Sequence, residues 1–108
     1  MSSALIPWIS LLFAGLFEVA WALALKASHG FSRPLPTVVF AVTLVASMAL
    51  LAYAVKHLPL GTAYAIWVGI GTLGTVLLGV IWFHEPLNLW RIASVLLILA
   101  GILGLKLG

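Results

Sequence analysis

The chain has 108 residues, of which 65% are hydrophobic and 6% charged, and it contains no cysteine. A soluble domain carries about 25% charged residues, so this composition leaves too little polar surface to cover a globule in water and makes lipid the solvent. Five Lys and Arg against two Asp and Glu give a net charge of +3, scattered between apolar runs rather than drawn into a stripe. That pattern argues against nucleic acid as a partner, and the missing cysteines exclude disulfides, thiolate metal sites and a nucleophilic thiol.

A hydrocarbon core about 30 Å thick takes about 20 helical residues to cross. Apolar stretches run from about Ala4 to Leu25, Leu35 to Val55, Leu60 to Phe83 and Asn88 to Leu105, which predicts an all-α membrane protein with four transmembrane helices. The stretches lack the alternation of outer-membrane barrel strands. Lys26, Ser28, His29, Gly30, Ser32, Arg33 and Pro34 punctuate the first connection. Lys56, His57 and Pro59 mark the second, and His84, Glu85 and Pro86 the third. With only short connections, residues 1–108 read as a single four-helix domain. Ala22, Leu23 and Ala24 imitate a signal-peptide cleavage site, but the first stretch has no basic start and contains Glu18, so it reads as a retained helix. Lys56 and Lys106 fall on the side of the two termini, and Lys26, Arg33 and Arg91 on the other. A bias of three against two favours neither orientation strongly. Four short helices make little enclosure for a solute, so an antiparallel, dual-topology homodimer is the preferred assembly.

In the first helix, Glu18 is the only carboxylate of any span, about 20 Å along the axis from Ala4 and about 10 Å from the other end. Intramembrane acids face cavities and mark ion or proton paths. Apolar surroundings favour the neutral acid and a neighbouring cation favours the carboxylate, so one side chain can hold a proton and a cationic substrate in turn. Leu11, Gly15, Glu18, Trp21, Ala22 and Leu25 share a helix face, where Gly15 and Ala22 leave space and Trp21 adds an indole beside the acid. Trp8, Trp82 and Trp90 sit at span ends and read as interfacial belt residues.

In the second helix, Ser47 can bond across the bundle or to the carbonyl of its own preceding turn, and its spacing favours the latter. In the third, Tyr64, Trp67, Gly71, Thr75 and Leu78 share a face. Aromatic faces attract organic cations, so Tyr64 and Trp67 are candidates to complete a cation site around Glu18. Gly69, Gly71 and Gly74 lack the strand-turn-helix context of a phosphate loop and read as helix packing or a hinge. In the fourth helix, Ala93, Leu97, Ala100 and Gly104 form a narrow face that is the candidate dimer seam. Arg91 and Lys106 at its ends are expected to snorkel, and His29, His57 and His84 to sit in solvated loops. No metal-ligand spacing, cofactor motif or set of nucleophile, base and orienter is present, so the chain does not read as an enzyme.

The residues Gly15-Leu16-Phe17-Glu18-Val19-Ala20-Trp21-Ala22, Leu25-Lys26, His29-Gly30-Phe31-Ser32-Arg33 and the run from Leu58 to Gly71 resemble the small multidrug resistance transporters, and more closely their guanidinium exporter subtype. The resemblance covers essentially the whole chain. It implies an antiparallel dual-topology dimer in the bacterial inner membrane, in which the acid matching Glu18 binds protons and substrate alternately. It further implies that Tyr64 gates and contacts the site, that Trp21, Ser47 and Trp67 line it or hold the acid, and that Gly15 lets helices approach. Trp21 and Gly61-Thr62 point to the guanidinium branch. Val68, where that branch commonly has threonine, and Thr72, where a small apolar residue is usual, depart from it.

The expected function is therefore proton-coupled antiport of guanidinium or small substituted guanidinium cations. Planar N–H donors pair with a carboxylate in charge-assisted hydrogen bonds that quaternary ammonium ions cannot make, and Ser47 is a candidate to hold the acid in that plane. By resemblance, two protons enter per cation leaving, which moves one net charge, worth about 2.3 kcal/mol per 100 mV. The alternatives are a multidrug exporter of quaternary ammonium and other lipophilic cations, one subunit of a heterodimeric exporter, a structural or regulatory membrane subunit, and a proton-translocating rotor subunit. A single acid in the first of four helices argues against the rotor.

Overall fold

The computed structural model describes residues 2–108, with side chains from residue 5 onward; the first residue of the expected 1–108 unit lies outside it. Four helices follow one another: α1 (Ser2–Ala27), α2 (Pro34–His57), α3 (Leu60–Trp82) and α4 (Leu89–Leu107). Each is long and apolar enough to cross a membrane. The boundaries follow from local chemistry. Pro34 opens the first turn of α2, where its missing N–H is no loss, and Pro59 is the N-cap of α3. Asn88 caps α4 by accepting a hydrogen bond from the Arg91 N–H at 3.0 Å. The connection after α1 turns through left-handed backbone at His29, Gly30 and Phe31. Fully buried Ser28 ties that turn down, accepting from the Phe31 N–H at 3.1 Å and donating to the Leu25 carbonyl at 2.7 Å. The second connection is only Leu58 and Pro59.

The helices run up and down. Lys26, at the end of α1, lies 5.3 Å from the ring of Phe83 beyond α3, and Lys106, at the end of α4, lies 5.1 Å from the ring of Trp8 near the start of α1. The bundle is a slab measuring 43 × 35 × 19 Å, less than two helix diameters thick at about 10–12 Å per helix. α1 is its centre and packs on both α2 and α3, whereas the α4 backbone approaches only α3. The core is correspondingly small: Leu11, Ala14, Ala54, Ala63, Ile66 and Trp67, with Trp8, Trp21 and Ile70 against it. α4 has no buried residue.

Several expectations are corrected here. Trp8 has a packing role beside the expected belt position, since it rests on the core and receives Lys106 over its face. Trp82 and Trp90 do face outward. His57 belongs to the last turn of α2, with its ring 4.9 Å from that of Tyr53. Arg91 does not simply snorkel: it reaches Glu85 at 3.4 Å, and both side chains are about one-third exposed. Gly69, Gly71 and Gly74 of α3 are packing positions. A Cβ on Gly69 would meet Ile102 at 2.6 Å, one on Gly74 would strike Val19, and one on Gly71 would strike the Glu18 carboxyl.

Candidate functional site

Glu18 and Trp21 lie one turn apart on α1, so both point to the same side of the helix. α3 comes close there because its facing positions are small. Gly15 of α1 accepts Ile70, whose Cγ2 would lie 2.6 Å from a Cβ at that position, and Gly71 accepts the Glu18 carboxyl itself. Any larger side chain at 71 would need the space the acid occupies. Together Glu18, Trp21, Ala22, Gly71, Thr72, Thr75 and Val76 line a cavity of about 210 Å³.

Two polar atoms in this cavity are buried without a hydrogen-bond partner, Glu18 Oε1 and Trp21 Nε1. Unpaired buried polar atoms are costly in a membrane-spanning bundle, and two of them beside one cavity make it a candidate place for a ligand. The Trp21 ring is held edge-on against Phe40 of α2 at 6.0 Å, and Phe40 in turn meets Phe31 at 5.4 Å. Nothing in the sequence marks Phe40, since an aromatic in an apolar helix has no distinguishing signal.

One turn before Glu18 the arrangement changes. Ser47 is fully buried and donates to the Ala14 carbonyl at 2.7 Å, while the Trp67 indole N–H donates to the Ser47 hydroxyl at 3.0 Å. The favoured expectation for Ser47, a bond to its own preceding turn, is therefore wrong. The close approach of α1 offers a carbonyl that the sequence does not display. Nor does Ser47 hydrogen-bond to the acid in this structure, since its hydrogen goes to the Ala14 carbonyl. The Ala14 carbonyl is the one that α-helical geometry also pairs with the Glu18 amide, so the Ser47–Trp67 pair meets the acid through backbone. Tyr64 leans on Trp67 with ring centroids 5.5 Å apart and is otherwise open. The structure thus brings Glu18, Trp21 and Gly71 to one cavity, puts Ser47 and Trp67 one turn away, and leaves Tyr64 at the edge. A second bond, from Ser10 to the Leu50 carbonyl at 2.7 Å, pins α1 to α2 further toward the N-terminus.

A larger cleft of about 790 Å³ opens between α1, α2 and α3, lined by Val19, Leu23, Val39 and Leu77 among others. It carries no ionisable side chain, so the smaller cavity, which holds the one intramembrane carboxylate, is the candidate site. Among the described residues no group of three or more His, Asp or Glu side chains is placed to hold a metal. The expected dimer face behaves as an open surface: Ala93, Leu97, Ala100 and Gly104 are all exposed, and a Cβ on Gly104 would meet nothing.

Four apolar spans with one intramembrane carboxylate facing a small cavity define a multi-pass membrane protein with a candidate site for a charged solute. The profile described as Small Multidrug Resistance protein matches residues 6–98, and the chain belongs to that family. It is 58% identical over 100 residues to a protein named guanidinium exporter from Yersinia pseudotuberculosis, covering 93% of this chain and 96% of the relative. It is 53% identical to the guanidinium exporter of Escherichia coli, covering 93% and 95% of the two chains. The guanidinium exporter of Proteus vulgaris is 50% identical, covering 93% of this chain and 96% of its own. Four spans and this family make the chain a multi-pass protein of the bacterial inner membrane.

Proposed function

We propose that the chain exports guanidinium or small substituted guanidinium cations in exchange for protons, the two competing for Glu18. The observation that carries this reading is the similarity over 93% of the chain to proteins named guanidinium exporters, supported by the unpaired carboxylate oxygen in a cavity between α1 and α3. The chain is a transporter and not an enzyme. Glu18 binds the cation through paired hydrogen bonds and releases it on protonation. Trp21 lines the site, and Gly15 lets α3 close on α1. Ser47 and Trp67 hold the backbone one turn before the acid, and Tyr64 gates the approach from the outer edge.

The assembly we infer is an antiparallel, dual-topology homodimer. A slab 19 Å thick does not enclose a solute by itself, the basic residues are nearly balanced between the two sides, and the small-residue face of α4 is open. Two Glu18 side chains would then straddle the midplane, and swapping the roles of two identical protomers exchanges access between the faces. The test is charge movement in proteoliposomes on adding guanidinium, methylguanidinium or a quaternary ammonium ion, with Glu18→Gln beside the native chain. Guanidinium current that disappears in the variant is the expected result. Current with quaternary ammonium ions alone would make the chain a multidrug exporter, and no current at all would favour one subunit of a heterodimer or a structural or regulatory subunit. Tags reached from one side of the membrane only would overturn dual insertion.

A further inference from the structure

The cavity beside Glu18 has a second acceptor on the opposite helix. Thr72 of α3 lines it, half-buried, and its hydroxyl donates to the Val68 carbonyl of its own helix at 2.7 Å. A hydroxyl has one hydrogen and two lone pairs. With the hydrogen committed to Val68, what Thr72 has left to give is acceptor capacity. Glu18 Oε1, on the α1 side of the same cavity, is also an acceptor and has no partner. Trp21 Nε1, likewise unpaired, is a donor and suits a carboxylate oxygen, not a cation that carries only N–H groups.

Acceptors from two facing helices around about 210 Å³ describe the chemistry of what fits between them. A guanidinium is flat and carries N–H donors around its whole edge. One edge pairs with a carboxylate and leaves donors pointing away from it. A quaternary ammonium ion has none. We propose that Thr72 is a specificity-determining residue, whose hydroxyl oxygen accepts an N–H hydrogen bond from the cation that Glu18 holds. This inference rests on the proposed guanidinium export and deepens it: α1 supplies the charge, and α3 supplies the neutral acceptor that tells a planar N–H cation from an alkylated one. A threonine bonded only to its own helix would have no such effect, because that bond contributes nothing to a ligand.

The experiment compares the native chain, Thr72→Val and Thr72→Ser in proteoliposomes, measuring the guanidinium concentration for half-maximal current and inhibition of that current by tetrapropylammonium. Valine keeps the shape and removes the acceptor, and serine keeps the acceptor. The expected result is that Thr72→Val raises the half-saturating guanidinium concentration about tenfold, with maximal current retained and tetrapropylammonium inhibition unchanged, while Thr72→Ser behaves like the native chain. Guanidinium half-saturation unmoved by valine, or equal weakening toward both cations, would overturn the role of Thr72 and leave guanidinium export standing. A native chain that carries no guanidinium current would sink the proposed function, and this inference with it.

Discussion

Two buried polar clusters lie one turn apart on α1 and are satisfied to opposite degrees. At Ala14 every partner is present: Trp67 donates to Ser47 and Ser47 donates to the Ala14 carbonyl. At Glu18 a carboxylate oxygen and an indole N–H are both unpaired. A closed cluster in a membrane bundle holds helices in register, since breaking it strands a polar group in an apolar medium. An open one has kept its bonding capacity for something that arrives later. Under the proposed function the contrast separates residues that build the protomer from residues that meet the solute, although both clusters lie where α3 packs on α1 and only Ser47 reaches in from α2.

Exchanging the open cluster's acid is the strongest way to probe that contrast. Glu18→Gln is expected to abolish proton-coupled current while leaving helix content by circular dichroism and thermal stability in detergent unchanged; a parallel loss of stability would show the acid to be structural. Gly71→Ala comes next. Its Cβ strikes the Glu18 carboxyl, so overpacking of about 1–3 kcal/mol is expected, read as lost guanidinium binding together with a lower melting temperature.

In the closed cluster the effects should reverse in kind. Ser47→Ala strands the Trp67 indole N–H and is expected to cost about 1–2 kcal/mol of stability, measured by thermal unfolding in detergent. Transport at saturating guanidinium should change less than in Glu18→Gln, and a loss as complete as that variant's would merge the two clusters into one. The smallest effect is expected at the membrane face. Arg91→Ala removes a partly exposed pair with Glu85 at 3.4 Å and should change stability by less than about 1 kcal/mol, with current unaltered.

α4 differs from the other three helices in a related way. It packs on α3 through Ile98 and Ile102 against Gly69 and buries no residue of its own, so its remaining surface is settled only by what covers it. Bulky substitution on that surface, such as Gly104→Leu, therefore offers a separate handle on assembly without touching the cavity.

Much of this protein was legible from its residues in order. Four spans follow from length and hydrophobicity, which are one-dimensional properties, and the proline-bearing connections between them are punctuated by chemistry that acts within a turn. Glu18 announces itself because a carboxylate in lipid needs a reason, and Gly15, Trp21, Trp67 and Gly71 share faces that helical periodicity defines. What periodicity leaves undetermined is the rotation and depth at which two faces meet. Ser47 had an equally good partner in its own helix until α1 brought the Ala14 carbonyl within 2.7 Å. Trp8 and Arg91 read from the sequence only as residues of the interface, and their partners Lys106 and Glu85 emerge from the packing of α4. Thr72 stood out in the sequence only as a departure from a familiar pattern, and its place beside the acid depends on Gly71 admitting Glu18 against α3. Sequence by itself determined which groups must leave water; tertiary structure decided which of them found partners there, because hydrogen bonds reach about 3 Å and only packing brings residues from different helices that close.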